Sequence, residues 1–130
     1  DNNYKQAELY FNEAIKLATE LKDDYMLAYC YSRKKGLYRS QGKAALADES
    51  INKSLALYQK QKNWKEVANT LIDIGYDQSY VYGNNAKALE YINKAQRISD
   101  TLNDVGVKAA IFGGQASIMR EMGEFQKALD

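Results

Sequence analysis

A chain of 130 residues and 14.8 kDa, 45% hydrophobic and 27% charged, is long enough for one domain with a sizeable core, and its 18 Lys and Arg against 17 Asp and Glu leave a formal charge of +1. The absence of His and the single Cys30 exclude Ser-His-Asp and Cys-His nucleophiles, His-containing zinc sites, internal disulfides and thiolate metal clusters. Balanced charge gives no general attraction for nucleic acid or an anionic membrane, no stretch is apolar over the roughly 18 residues of a membrane span, and zero Pro with only 8 Gly points to helices.

The helical period places the first helix at 4–22. Its Ala7, Phe11 and Ala14 follow a spacing of alanine, apolar at +4 and small at +7, which shares one helix face and lets a neighbour approach closely. Asp23 and Asp24 stand at the next helix start, where acidic side chains satisfy free N–H groups without calcium. The second helix, 24–41, holds Tyr25, Tyr29, Tyr31 and Tyr38 of the chain's 11 tyrosines. Most fill helix interfaces, and the others offer a ligand stacking area and a hydroxyl. Cys30 among them reads as a small buried hydrophobe. Arg33, Lys34, Lys35, Arg39 and Lys43 form the densest basic stretch, but consecutive charges fan around a helix and read as a solvated face.

After Gly42, the third helix, 44–62, repeats the spacing with Ala47, Ile51 and Ser54. Asn63 followed by Glu66 is a capping box, with Trp64 over the helix start, and it opens the fourth helix, 64–82. There Val67, Leu71, Ile74 and Gln78 trace the apolar period, and Tyr76, Tyr80 and Tyr82 renew the tyrosine cluster. Gly83 precedes the fifth helix, 85–102, with Ala88, Ile92 and Ala95. Asn103 and Asp104 cap a sixth, 104–122. Its Gly113 and Gly114 lack the strand and the Lys-Ser or Lys-Thr of a phosphate loop and permit close helix approach instead. Gly123 marks a break, and Ala128 opens a seventh helix.

These elements form a repeat. Ala7, Ala47, Ala88 and Ala128 are separated by 40, 41 and 40 residues, and Asp23, Asn63 and Asn103 keep an interval of 40. Gly42, Gly83 and Gly123 lie five residues before the last three alanines, with Asn2 in the equivalent place of the first. Two breaks per period of about 40 give two helices per repeat, and the glycines sit where left-handed caps end the first helix of each pair.

The spacing Gly-x-x-x-x-Ala-x-x-x-(aromatic or aliphatic)-x-x-(Ala or Ser) resembles the second helix of a tetratricopeptide repeat, most typically at Gly123-Glu-Phe-Gln-Lys-Ala-Leu-Asp130. Leu71, Ile74 and Gly75, and again Phe112, Ala116 and Met119 with Gln115 in the usual leucine place, are similar to that family's first helix. The period of about 40 in place of about 34, and the missing proline after each second helix, depart from the pattern. Such long helices resemble the extended arrays of bacterial signalling proteins, both transcription regulators and sensor kinases. The resemblance implies an all-α fold, a right-handed superhelical solenoid of antiparallel helix pairs. Residues 1–130 are then a single array with breaks near 23, 42, 63, 83, 103 and 123. Neither end carries a polar capping repeat, so the chain reads as an excerpt of a longer protein.

Function follows from the same resemblance. First helices of the family line a concave groove that holds a peptide or a partner's helix. The residues expected to contact such a protein or peptide partner are Tyr29, Arg39, Asn69, Tyr76 and Arg120: two tyrosines for stacking, an amide for backbone groups, and two cations for a peptide with acidic ends. No cofactor, metal site, catalytic group, nucleic-acid contact or membrane contact is expected of these residues. The alternative is a spacer that couples a sensory to an output domain or drives oligomerisation, with self-association through exposed apolar surface on the end helices.

Overall fold

The computed structural model describes residues 2–129, excepting the side chains at 125, 127 and 128, so Ala128 as a repeat alanine lies outside the described side chains. The described residues form six helices and no strand: α1 (Asn2–Glu20), α2 (Asp24–Ser40), α3 (Ala44–Lys60), α4 (Trp64–Tyr80), α5 (Asn85–Leu102) and α6 (Val105–Leu129). The fold is all-α. Helices α2, α5 and α6 start where side chains accept the first free N–H groups, Asp23 from Met26 N at 2.9 Å, Asn84 from Lys87 N at 3.1 Å, and Asp104 from Val107 N at 3.0 Å, whereas Lys43 before α3 makes no such bond.

They stop in two ways. Gly42 and Gly83 adopt left-handed φ values of 71° and 65°, as expected of the glycines after first helices. After second helices the same region is taken by Lys22, Lys62 and Asn103, at φ 55°, 56° and 53°. The Asp23 N–H then returns to Ala18 O at 2.9 Å and the Asn63 N–H to Tyr58 O at 3.0 Å, one turn geometry repeated.

The break expected at Gly123 does not occur. Helix α6 continues unbroken to Leu129, with Gly123 absent from the left-handed residues. A glycine inside a helix costs only about 1 kcal/mol relative to alanine, so helix α6 runs through Gly123 at little expense and keeps its backbone hydrogen bonds.

The chain divides into two compact units, Asp1–Asn63 and Trp64–Asp130. In the first, α2 packs against both α1 and α3. Its core holds Ala28, Leu37 and Tyr38 of α2 with Ala47, Ile51 and Tyr58 of α3. Ser54 is buried, its hydroxyl donating to Ala28 O at 2.8 Å, and the Tyr25 and Tyr58 rings meet edge-on at 5.9 Å. In the second unit, α5 packs against α4 and α6, which also touch each other. The small residues work as the spacing required. A Cβ on Gly75 would stand 3.0 Å from Ile92 Cγ1 and 3.1 Å from Ala88 O, so α4 lies directly on α5. Ala47 and Ala88, equivalent in the repeat, are both fully buried.

A pair of hydrogen bonds gives the repeat its residue-level register. Lys34 Nζ of α2 donates to Asn12 Oδ1 of α1 at 2.7 Å, and Gln115 Nε2 of α6 donates to Asn93 Oδ1 of α5 at 3.3 Å. Each pair spans 22 residues, and both members of the second lie 81 positions after those of the first. The α1·α2 and α5·α6 pairings are thus one pairing used twice.

Candidate partner-binding face

The tyrosine-rich face of α4 holds two of the five expected contact residues. Asn69 and Tyr76 are seven residues apart, two helical turns or about 10.5 Å, and both are half-buried. Tyr76 stacks on Tyr80, with ring centroids 5.9 Å apart and planes 18° from parallel. Its hydroxyl lies 3.4 Å from where a Cβ on Gly114 would stand, so the glycine of α6 makes room for the ring. Beside it, Gly113 has no atom within 4 Å of its own missing Cβ and leaves the α6 surface open. The result is an exposed phenol, Tyr80, braced by Tyr76, whose position is fixed, with the Asn69 amide two turns before Tyr76 along the same helix.

The other three candidates fare differently. Tyr29 is exposed on α2 in the first unit. Arg39 is not a presented cation. Its side chain is 16% exposed, and one guanidinium nitrogen donates to Asp48 Oδ1 at 2.7 Å while another reaches Ala44 O at 3.5 Å. It clasps the start of α3 to the end of α2, because the tight turn at Gly42 brings Asp48 beneath it. Arg120 is 70% exposed and reaches its sequence neighbour Glu121 at 3.5 Å. An acidic-ended peptide held by both arginines therefore loses its first anchor. The basic stretch is also partly engaged, since Lys34, besides bonding Asn12, sits 5.4 Å over the Tyr38 ring.

The second unit also holds a shallow depression of about 360 Å³ that the sequence does not announce. Trp64, Lys94, Arg97, Ile98 and Thr101 line it. The only signal in the sequence is that positions 94, 97, 98 and 101 share one helix face, which means nothing until it is known where Trp64 lands.

The titratable groups with displaced pKa values are structural. Burial pushes the Cys30 thiol above its ordinary 9.0, with Asp23 adding to the effect, so the thiolate is disfavoured. The Val107 backbone N–H, with help from Lys65 at 3.3 Å, holds the Asp104 carboxyl below 3.8. Among the described residues no group of three or more Cys, Asp or Glu is placed to hold a metal ion, and no helix is long and apolar enough to cross a membrane. Comparison with protein-family models, with curated proteins and with solved structures finds no match.

Proposed function

We propose that the chain is a helical-repeat scaffold of the tetratricopeptide kind, built as a right-handed solenoid of helix pairs, that binds a protein or peptide partner through the exposed face of its first-type helices. The observation that carries this reading is the stacked Tyr76–Tyr80 pair in line with half-buried Asn69 on α4, beside the open glycine surface of α6. Rigid aromatics give contact area at low entropic cost, and an amide is able both to donate to and accept from an extended backbone. Tyr29 is an exposed aromatic on α2 of the first unit, at the place that Asn69 takes on α4. The long helices and the two-helix period support a place in a signalling or regulatory protein, and no catalytic role is assigned to the chain.

The test is selection of a displayed random-peptide library on the wild-type chain, followed by titration of the selected peptides into wild type, Asn69→Ala and Tyr80→Ala. Both variants are expected to weaken binding about tenfold or more with unchanged helical signal. Peptides that bind all three proteins equally would place the contact elsewhere.

A further inference from the structure

The depression beside Trp64 lies on α4 and α5, and the equivalent place in the first unit is bridged by an ion pair. Its other lining residues, Lys94, Arg97, Ile98 and Thr101, belong to α5. Lys94 and Arg97 each stand one residue, about 100° of helix turn, beyond Asn93 and Gln96, which bond Gln115 of α6. The hollow therefore opens on a different side of α5 from the one that α6 covers. The repeat intervals of 40 and 41 carry Asp24 to Trp64 and Lys60 to Thr101. In the first unit Lys60 Nζ meets Asp24 Oδ2 at 3.1 Å and joins the start of α2 to the end of α3. At the start of α4 and the end of α5 an indole and a hydroxyl take those places, so the bridge is gone.

The cations differ as well. Ala56 of α3 is replaced by Arg97 on α5, and Lys53 is repeated as Lys94. Lys53 is held by Glu49 at 3.2 Å, whereas Lys94 makes no ion pair with Glu90, the residue in the place of Glu49, and rests 5.0 Å from the centre of the Tyr91 ring. Arg97 has no carboxylate partner among the described residues, and none of the five lining side chains is acidic. The Thr101 hydroxyl donates to Ile98 O at 2.7 Å, which leaves its oxygen able to accept from a ligand N–H. Two cations without carboxylates thus stand beside an indole that is 43% exposed, around a space of about 360 Å³.

We propose that this hollow seats an acidic segment of a protein partner, with an aromatic side chain on Trp64 and Ile98 and carboxylates on Arg97 and Lys94. Helices α4 and α5 run antiparallel across the short turn at Gly83, and Gly75 lies against Ala88 and Ile92, so Trp64, about three turns earlier on α4, falls near Ile98 and Thr101. The hollow has an apolar end there and a cationic end at Lys94 and Arg97. Positions 94 to 101 cover about 10.5 Å of helix, which an extended peptide crosses in about three residues. An aromatic residue at one end therefore brings carboxylates two and three residues along to the cations, where a guanidinium takes one of them bidentately. A shallow hollow suits a protein segment better than a small molecule, which its pocket normally surrounds, and Trp and Arg are the residue types that most often dominate interfaces. The site is separate from the Tyr76–Tyr80 pair, since Trp64 begins α4 and Tyr80 ends it. It adds a second contact to the partner-binding reading without depending on the first.

Trp64 is the chain's single tryptophan, so its fluorescence reports this site directly. The experiment is titration of the 130-residue chain with the tetrapeptide Phe-Ser-Glu-Glu, blocked at both ends, with tryptophan excited selectively. A saturable change in emission is expected with a Kd of about 1 mM, weakened about tenfold for Phe-Ser-Gln-Gln and for Ala-Ser-Glu-Glu. Arg97→Gln, at an exposed position, is expected to weaken Phe-Ser-Glu-Glu about tenfold with unchanged helical signal. Lys94→Glu and Arg97→Glu in one chain should reverse the preference, losing Phe-Ser-Glu-Glu and gaining Phe-Ser-Lys-Lys. Tyr80→Ala is expected to bind as wild type does, so a failure at Trp64 leaves the α4 face standing. No response up to about 10 mM, equal responses to the acidic and neutral peptides, or a double charge variant that still prefers the acidic peptide overturns the assignment. Loss of the response in Tyr80→Ala overturns it by moving the peptide to the other face. Binding of AMP about tenfold tighter than the peptide overturns it by making the hollow a site for a small aromatic phosphate.

Discussion

Replacing glycines by alanine separates those that the α4·α5 packing requires from those it does not. At Gly113 a Cβ meets open space, so Gly113→Ala gains helix propensity alone, about 1 kcal/mol of stability. At Gly75 the same gain is opposed by contacts of 3.0 Å to Ile92 Cγ1 and 3.1 Å to Ala88 O. Neither neighbour yields easily: Cγ1 sits next to the branch of a fully buried isoleucine, and the carbonyl belongs to the α5 backbone. Separating the helices costs about 1–3 kcal/mol, so Gly75→Ala is expected to be destabilising by about 1 kcal/mol net, about 2 kcal/mol below Gly113→Ala. Gly114→Ala falls between, because its 3.0 Å contact is to Ile92 Cδ1, the movable end of the same side chain. Urea denaturation followed by circular dichroism gives the three midpoints. If Gly75→Ala shifts the midpoint upward as far as Gly113→Ala, the close approach of α4 to α5 is wrong, and with it the packing role given to the small residues.

Arg39→Ala removes the clasp between α2 and α3 and is expected to cost about 1 kcal/mol of stability in urea denaturation, which loss of a surface cation would not. Cys30 should react with a thiol reagent at about pH 8 roughly a hundredfold more slowly in the native chain than in denaturant; equal rates would place it at the surface. The lowered Asp104 carboxyl stabilises the fold at pH values above its ordinary 3.8, and this contribution is lost as pH falls through the folded value. Asp104→Asn, compared with wild type by urea titration from about pH 7 down to about pH 2, should therefore differ most at neutral pH and converge in acid.

Periodicity makes the helices legible because it is a local property. The caps and the +4 and +7 small residues specify each helix and its packing face, and the breaks near 23, 42, 63, 83 and 103 correspond to turns in the structure. Gly123 shows where that logic stops. The same residue type that reverses the chain at Gly42 and Gly83 stays helical at 123, so the glycine alone does not dictate a reversal. The contact residues are less legible. Asn69 and Tyr76 can be paired from the sequence because one helix carries both, whereas the bracing of Tyr76 by Gly114 is a contact between helices that no spacing within α4 encodes. The Trp64 depression is invisible in the sequence for the same reason.

Arg39 and Arg120 make the dependence on neighbours explicit. They occupy equivalent places on α2 and α6, with the same side chain on the same type of helix, and the sequence alone gives them the same role. Arg39 is withdrawn from solvent because α3 brings Asp48 to it, while Arg120 is 70% exposed and reaches its neighbour Glu121. A residue in a repeat therefore acquires its role from the helix that covers it. The distinction between a structural arginine and an exposed one on these helices is therefore one of which neighbour covers it, and loss of the clasp in Arg39→Ala tests it directly.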